Sequence, residues 1–493
     1  MTARNLAGFL VVMLTAAAAY AETPSPKSAA DAAARRAWAI TDVVLEQDID
    51  PPARQQMLLH GLQALLRQTP GRTTPNLAAR VSAVTTPEQF AALLSEVWPT
   101  DEKGTKIKGE EREHLLFHGL FGWRQSEDKD GSHYLSPRER KDYEVFAGNR
   151  YVGTGIQIRK NAKEKLTQIV IPFPGGPARK AGARPGDLIV AVDYESMEGR
   201  SLVEVVKRLQ GEEGTRVSMT VRQPGESKTR RLPMVRSIIP FSSVHGYRRT
   251  GEESWSFRPG EESAVGYLTL DDIKSSTLLE LRKIEPLVRD EGVRAVVFDL
   301  RFAAGREIRH TALVADGLLD GGILWRVRDA RGRVKEYKAD RDCLFRDMPM
   351  VVLVGEHTRR MAAVLAAALQ DRGRAILVGE PTRARLVATS LVPLPDGEDA
   401  LLLWTGKVER VGRADKSAKA DEMQRLALAA GVVMPDHRVA IERRQMEAVM
   451  EWRQQQQSPE PKGDVKAPAD PQLDKAIALL GEILAQREKK SEP

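Results

Sequence analysis

Residues 350–379 read MVVLVGEHTRRMAAVLAAALQDRGRAILVG. Two short apolar runs, Met350 to Val354 and Ala375 to Gly379, flank a longer stretch rich in Ala and Leu. Runs of about five residues rich in Val, Ile and Leu read as buried strands, and the longer segment between them reads as a helix. The same alternation extends from residue 265 to about 440, with further β-runs at VGYLTL (265–270), AVVFDL (295–300) and LVPL (391–394). Strands alternating with helices predict an α/β core built on a largely buried sheet.

Upstream the character changes. Between Tyr151 and Arg222, short runs (GIQIRK, QIVIPF, DLIVAV, VSMTVR) are separated by Gly/Pro turns, with one helical stretch at Ser201–Leu209. This predicts a small β domain with a helix. Ala32 to Arg67 shows helical spacing, and LLHGL (58–62) is echoed by LLFHGL (115–120), consistent with a local duplication of helical hairpins. Gln454 to Pro468 is low-complexity and predicts a linker, after which Asp470–Arg487 returns to helix.

The whole chain is 493 residues, with 75 Lys+Arg against 68 Asp+Glu and 42% hydrophobic residues. That composition excludes a wholly disordered chain and a multi-span membrane protein. The length fits about three domains at roughly 150 residues each. The net charge of +7 reads as a mixed, solvated surface, and no nucleic-acid module accompanies it. At the N-terminus, Arg4, the apolar run Leu6–Ala19 and Ala19-Tyr20-Ala21 follow the order of a secretory signal peptide; the alternative is an uncleaved anchor helix. No later segment has the apolar length of a membrane span, so an exported, periplasmic or extracellular chain is expected. With Cys343 alone, an intramolecular disulfide is excluded, and Cys343 reads as a small buried hydrophobe.

The β domain opens with Tyr151-Val152-Gly153-Thr154-Gly155-Ile156-Gln157-Ile158 and continues with Gly176-Pro177-Ala178-Arg179-Lys180-Ala181-Gly182-Ala183-Arg184-Pro185-Gly186-Asp187-Leu188-Ile189-Val190-Ala191-Val192-Asp193. A Gly-x-Gly loop before a strand can turn its N–H groups toward an anion, and the strand offers an edge for an added peptide. The second stretch resembles the PDZ pattern. That resemblance implies that Gly153, Thr154, Gly155 and Ile156 form a carboxylate-binding loop, with Ile158 further along the groove strand. The helix at 201–209 would form the opposite wall. Peptide or protein C-termini would be the partners. The alternative is that both glycines serve only a tight turn. Tyr194 replaces the Gly usual after Asp193.

Taken together, the layout resembles the carboxyl-terminal processing (tail-specific) serine peptidases. Asp130-Gly131-Ser132-His133-Tyr134-Leu135, Val265-Gly266-Tyr267-Leu268, Val293 to Arg301, Ala366 to Asp371 followed by Gly373-Arg374-Ala375, Val378-Gly379-Glu380-Pro381-Thr382, LVPLPDG (391–397), GVVMPD (431–436) and Asp470-Pro471-Gln472-Leu473 carry the resemblance. It covers nearly the whole chain after residue 21, with insertions near 67–110. It implies an α/β multi-domain fold with a crotonase-like, ClpP-related core. The expected boundaries are 1–21 signal peptide, 22–150 helical region, 151–236 PDZ domain, 237–450 peptidase-like core, 451–469 linker and 470–493 C-terminal helix.

The resemblance implies a Ser–Lys dyad in which a lysine takes the serine's proton. This sequence departs from it in three places. The family's serine falls at Arg360, its lysine at Arg385, and its "N-N-P-G-G" oxyanion phrase at Phe302-Ala303-Ala304-Gly305-Arg306. A guanidinium stays protonated and cannot serve as general base. One glycine, Gly305, remains to present backbone donors to an oxyanion. No catalytic residue, metal or cofactor is therefore expected. The expected function is a degenerate homologue that binds C-termini as scaffold or regulator. The alternative is an active tail-specific endopeptidase using displaced residues, Thr358 with His357, two positions off register; Ser390 reads as a strand residue.

Other candidates are weaker. His114 and His118 have metal-compatible spacing without the Glu of a zinc-protease helix, and Asp128-Lys129-Asp130-Gly131 lacks the later ligands of a calcium loop. Arg301, Arg306, Arg309, Arg359, Arg360, Arg383 and Arg385 gather near the former active site, either as an electropositive cleft for an anion or as drift to surface residues.

Overall fold

The computed structural model describes residues 26–68, 74–98, 109–125, 131–147, 151–173, 175–239, 242–251, 254–340, 342–383, 385–395, 397–411, 431–457 and 466–491. The expected signal peptide and residues 128–130 of the acidic loop lie outside these. Two units form, residues 1–42 with 52–126, and residues 43–51 with 127–493. No helix among the described residues is long and apolar enough to cross a membrane.

The first unit is helical: α1 (Pro26–Gln47, which runs on into the second unit), α2 (Arg54–Arg67), α3 (Leu77–Ser82), α4 (Pro87–Val97) and α5 (Gly109–Gly119). Thr86 and Gln89 close a capping box at the start of α4. The echoed phrases meet, because α2 packs on α5. A Cβ on Gly119 would stand 2.6 Å from that of Ala64 and 2.9 Å from the Cα of Gly61, so only glycine permits this approach. His114 and His118 lie together on α5 with ring centroids 4.1 Å apart and planes tilted by 47°.

The second unit begins with β1 (His133–Leu135) and α6 (Pro137–Ala147). The small β domain follows: β2 (Tyr151–Gly153), β3 (Ile156–Asn161), β4 (Leu166–Pro172), β5 (Leu188–Val192), β6 (Glu195–Ser196), α7 (Leu202–Leu209), β7 (Arg216–Arg222), β8 (Arg230–Val235) and β9 (Ser237–Ile239). Its sheet runs β3-β4-β5-β7-β8, with β6 on β5, and β2 pairs antiparallel with β9. Every second residue of β7 (Val217, Met219, Val221) enters a core with Ile169, Ile189, Val205 and Leu209. Ser201 and Glu204 cap α7 at the position expected for the groove helix. Tyr194, at φ 69°, turns the chain between β5 and β6 where glycine is usual, with its ring under Arg231.

The core comprises β10 (Val244–His245), β11 (Val265–Leu270), β12 (Asp272–Ile273), α8 (Thr277–Asp290), β13 (Ala295–Asp299), β14 (Ala304–Gly305), α9 (Ile308–Leu318), β15 (Gly322–Asp329), β16 (Val334–Ala339), β17 (Met350–Val354), α10 (Met361–Asp371), β18 (Ile376–Gly379), β19 (Val387–Pro393), β20 (Ala400–Arg410), β21 (His437–Arg438), α11 (Arg443–Gln457) and α12 (Pro471–Ser491). One sheet runs β10-β11-β13-β17-β18-β21 and is parallel throughout except for β10 at its edge. The second is antiparallel, with β20 pairing β1, β15 and β19, and β15 pairing β16. Parallel strands buried on both faces explain the uninterrupted apolar runs in the sequence. Val297, Val351 and Leu353 face Leu473, Ala476 and Leu480 of α12. Val296, Phe298, Val352 and Val354 face the helices on the other side. All of Met361–Gln370 is buried, so α10 is apolar all round.

The C-terminal region differs from the expectation. Gln454–Gln457 close helix α11 rather than opening a linker, because Trp452, Arg453 and Gln456 are buried. Cys343 is half-buried rather than fully buried, with its thiol 3.3 Å from the Leu318 carbonyl. Asp470 accepts the Gln472 and Leu473 amides, an N-cap that starts α12.

Candidate functional site

Two regions hold the candidate residues. In the β domain, Gly155 has φ +72°, and a Cβ there would meet Ile239 at 3.1 Å and Gly176 at 3.3 Å, so glycine is required both for its angle and for space. Thr154 is buried, and its carbonyl accepts the Ala178 amide at 2.8 Å. The Gly155 carbonyl accepts the Phe173 amide at 2.8 Å. These bonds tie Thr154 and Gly155 to Phe173 and Ala178, on either side of Pro177. Ile156 and Ile158 are half-buried against the domain core, and β3 is the end strand of its sheet. Helix α7 packs against β3, and together they border the groove.

One residue not anticipated from sequence fixes this groove. Arg236 is buried and donates to the Leu209 carbonyl at 3.1 Å, the Arg208 carbonyl at 2.8 Å and the Arg216 carbonyl at 3.0 Å. It thereby satisfies the open carbonyls at the end of α7. Asp187, fully buried, takes Arg230, Gln223 and the Arg184 amide. A lone Arg after a strand gives no sequence signal of its capping role, because its partners lie 20 to 28 residues away.

The second region lies at the carboxyl ends of the parallel strands, where ligands of open α/β sheets bind. Arg360 is the N-cap of α10 and holds φ 51°, ψ −123°. Non-glycine residues occupy that region only under strain, and such strain clusters at functional positions. A Cβ on Gly305 would stand 3.0 Å from the Met361 Cβ and 3.3 Å from the Ile273 Cβ. The expected oxyanion loop therefore packs directly on the start of α10, and the Arg359 amide donates to the Ala303 carbonyl at 2.9 Å.

The displaced hydroxyl is engaged. Thr358 is fully buried; its Oγ1 donates to the Leu300 carbonyl at 2.8 Å and accepts the Gly355 amide at 3.0 Å. His357 turns away and stacks on Phe302, with centroids 6.0 Å apart. Arg385 is exposed and lies over the Trp404 ring at 5.7 Å. Ser390 hydrogen-bonds Thr405 across two strands at 2.7 Å.

The seven arginines do not form one cleft. Arg301 is 1% exposed and bonds Asp299 and Asp470, each through two nitrogens. Burial alone would raise the Asp299 carboxyl, but Arg301 and Arg453 outweigh it and hold Asp299 well below its usual range. Tyr267 donates to Asp299 at 2.6 Å. This cluster clamps α11 and α12 onto β13 and is structural. Arg383 pairs with Glu356 at 2.6 Å, and Arg309 lies 3.7 Å from Glu307. The charges of Arg306 and Arg360 do converge, since both act on His133, Tyr143 and Asp272.

The core residues 264–410 match the model of peptidase family S41, and residues 173–223 match that of the PDZ domain. Residues 264–410 are an S41 peptidase domain, and a PDZ domain precedes it. The S41 match spans β11 through β20, so the Gly305, Arg360 and Arg385 positions all lie within it. A carboxyl-terminal-processing protease of Picosynechococcus sp. is 32% identical over 263 residues, 53% of this chain and 61% of that one. The chloroplastic C-terminal processing peptidase of Tetradesmus obliquus is 31% identical over 273 residues, covering 55% and 59%. The chain thus spans about three fifths of the length of these curated relatives. Among solved structures, the photosystem II D1 C-terminal processing protease aligns over 85% of this chain and 94% of its own, at 22% identity and a TM-score of 0.38.

Proposed function

We propose that this exported S41–PDZ chain is a pseudoprotease that binds peptide or protein C-termini through its PDZ groove and acts as scaffold or regulator. The observation that carries the reading is the residue at the head of α10. An arginine, permanently protonated, holds the strained N-cap where the resemblance puts the nucleophile. The hydroxyl of the same segment, Thr358, is buried with its proton committed to the Leu300 carbonyl. Arg385, at the expected lysine position, cannot accept a proton either. In the PDZ domain, an open strand edge at β3, a loop fixed around Gly155 and a capped α7 support capture of an extended peptide end.

The test is incubation of the purified chain with substrates carrying unstructured C-terminal tails. No cleavage is expected. Cleavage abolished in Thr358→Ala but retained in Thr358→Ser, with both variants folded, would overturn the pseudoprotease reading. In parallel, peptides with free and amidated C-termini are titrated; only the free acid should bind, and equal binding of both sinks carboxylate capture at Gly153–Ile156.

A further inference from the structure

The chain's positive charge is not spread evenly. Residues 151–239, the small β domain from β2 to β9, carry 16 Lys+Arg against 9 Asp+Glu, and the rest of the chain carries 59 of each. The whole surplus of +7 therefore belongs to this one domain. A surface of one sign steers and selects partners of the other. Where the charges sit along the groove decides which part of a partner they meet.

The groove has two distinct ends. At one, Arg236 holds the last carbonyls of α7 while its neighbour Ser237 pairs with Gly153, so the expected carboxylate loop lies beside the end of α7. At the other, β3 meets the start of α7. Lys160, two residues beyond Ile158, donates its ammonium to the Arg200 carbonyl just before that helix. The turn after β3 closes on the same place, where the Gly199 amide donates to the Lys165 carbonyl at 3.0 Å. Lys160, Lys163 and Lys165 are all exposed, and among the described residues no ion pair engages Lys163 or Lys165. The neighbouring carboxylates are held elsewhere. Glu164 pairs with Arg222 at 2.7 Å, and Glu204 takes the Ser201 amide and Arg200. Glu198, next to Gly199, is one carboxylate against three ammonium groups.

We infer that this groove selects C-termini preceded by acidic residues, read by Lys160, Lys163 and Lys165 at its far mouth. The inference rests on carboxylate capture at Gly153–Ile156. A peptide held there by its terminus must run back along β3 from Ile156 toward Lys160, antiparallel to the strand. Paired strands advance residue for residue, so Lys160 meets a side chain about four positions before the terminus, and the lysines of the turn reach roughly one to three positions further. Ammonium groups gathered there attract Asp or Glu and repel Lys or Arg. The partner is an extended protein tail with an acidic stretch just inside its last few residues.

Fluorescence anisotropy on the full chain tests this with three free-acid peptides. They share their last four residues and carry Glu, Gln or Lys at the four positions before them. Wild type should bind the Glu peptide about fivefold tighter than the Gln peptide and about tenfold or more tighter than the Lys peptide at low salt. The gap should close near 1 M salt, where the Debye length is roughly 3 Å. The double variant Lys163→Gln/Lys165→Gln, which breaks no side-chain bond inside the fold, should cut the Glu-over-Gln preference to about twofold. Adding Lys160→Gln should abolish it, with affinity for the Gln peptide unchanged. Lys335→Gln, on β16 of the core, should behave like wild type. Equal binding of all three peptides by wild type, or a preference that the double variant keeps in full, overturns the inference and leaves carboxylate capture standing. Binding of none of the three overturns carboxylate capture, and this inference with it.

Discussion

Arg301 on the loop after β13 grips the carboxylate of Asp470 through both terminal nitrogens, at 3.0 and 2.7 Å, across 169 residues of sequence. The same guanidinium holds Asp299, and the Asp470 carboxylate also caps α12. One side chain thus locks the C-terminal helix to the central strand of the peptidase-like sheet. The pair is buried, so its worth lies in completeness: a single lost partner strands a charge away from water.

Arg301→Ala should therefore destabilise the second unit by roughly 3–5 kcal/mol, read from urea unfolding. Asp470→Ala should cost a comparable amount, because it removes both the ion pair and the helix cap. The double variant should cost less than the sum of the two, since both break one network.

Acid should weaken the fold in two stages. Burial lowers His133 from its ordinary 6.5, so the contribution of neutral His133 is complete above that pH and declines as pH falls below it. Asp299 lies below its ordinary 3.8, so its contribution is complete above 3.8 and is lost only on further acidification. Melting temperatures measured from pH 8 to pH 3 should show both declines, and His133→Gln should remove the first.

Arg360→Gly should raise stability. The φ 51°, ψ −123° conformation costs a side-chain-bearing residue about 1–3 kcal/mol, while glycine gives back roughly 0.5–1 kcal/mol in the unfolded chain. A net gain of about 1 kcal/mol is expected in thermal melts. An unchanged or lower melting temperature would show that the arginine's contacts outweigh its strain.

Arg236→Ala should loosen the PDZ groove. It frees the carbonyls of Arg208 and Leu209 at the end of α7, at a cost of roughly 1–3 kcal/mol. Faster amide exchange in α7 and several-fold weaker binding of a free-acid peptide by fluorescence anisotropy are the expected results. Arg236→Lys should rescue little, since one ammonium cannot reach carbonyls on two segments.

Much of the architecture was legible along the chain. VGYLTL, AVVFD and MVVLV became β11, β13 and β17 because a strand buried on both faces must be apolar at every residue. The groove helix was legible as the helical stretch at Ser201–Leu209, and the structure adds the local capping box of Ser201 and Glu204 that starts it. Arg301 misled, since an arginine close to the expected dyad positions looks like surface charge. Its burial depends on Asp470, which no local pattern connects to it. The QQQQ stretch misled for the same reason: Gln456 is buried by packing that composition does not record.

By itself, the sequence determined the order of the PDZ and peptidase domains, the buried strands and the turn glycines, and its resemblance puts arginines where a Ser–Lys dyad is expected. These follow from residue type and spacing over short range. Only the tertiary structure decided that Arg301 is structural, that Thr358 spends its proton on Leu300, and that the Arg306 guanidinium lies over the Tyr143 ring. Those relations join segments up to 169 residues apart, and burial and hydrogen-bond satisfaction are set by what the folded chain places opposite each group.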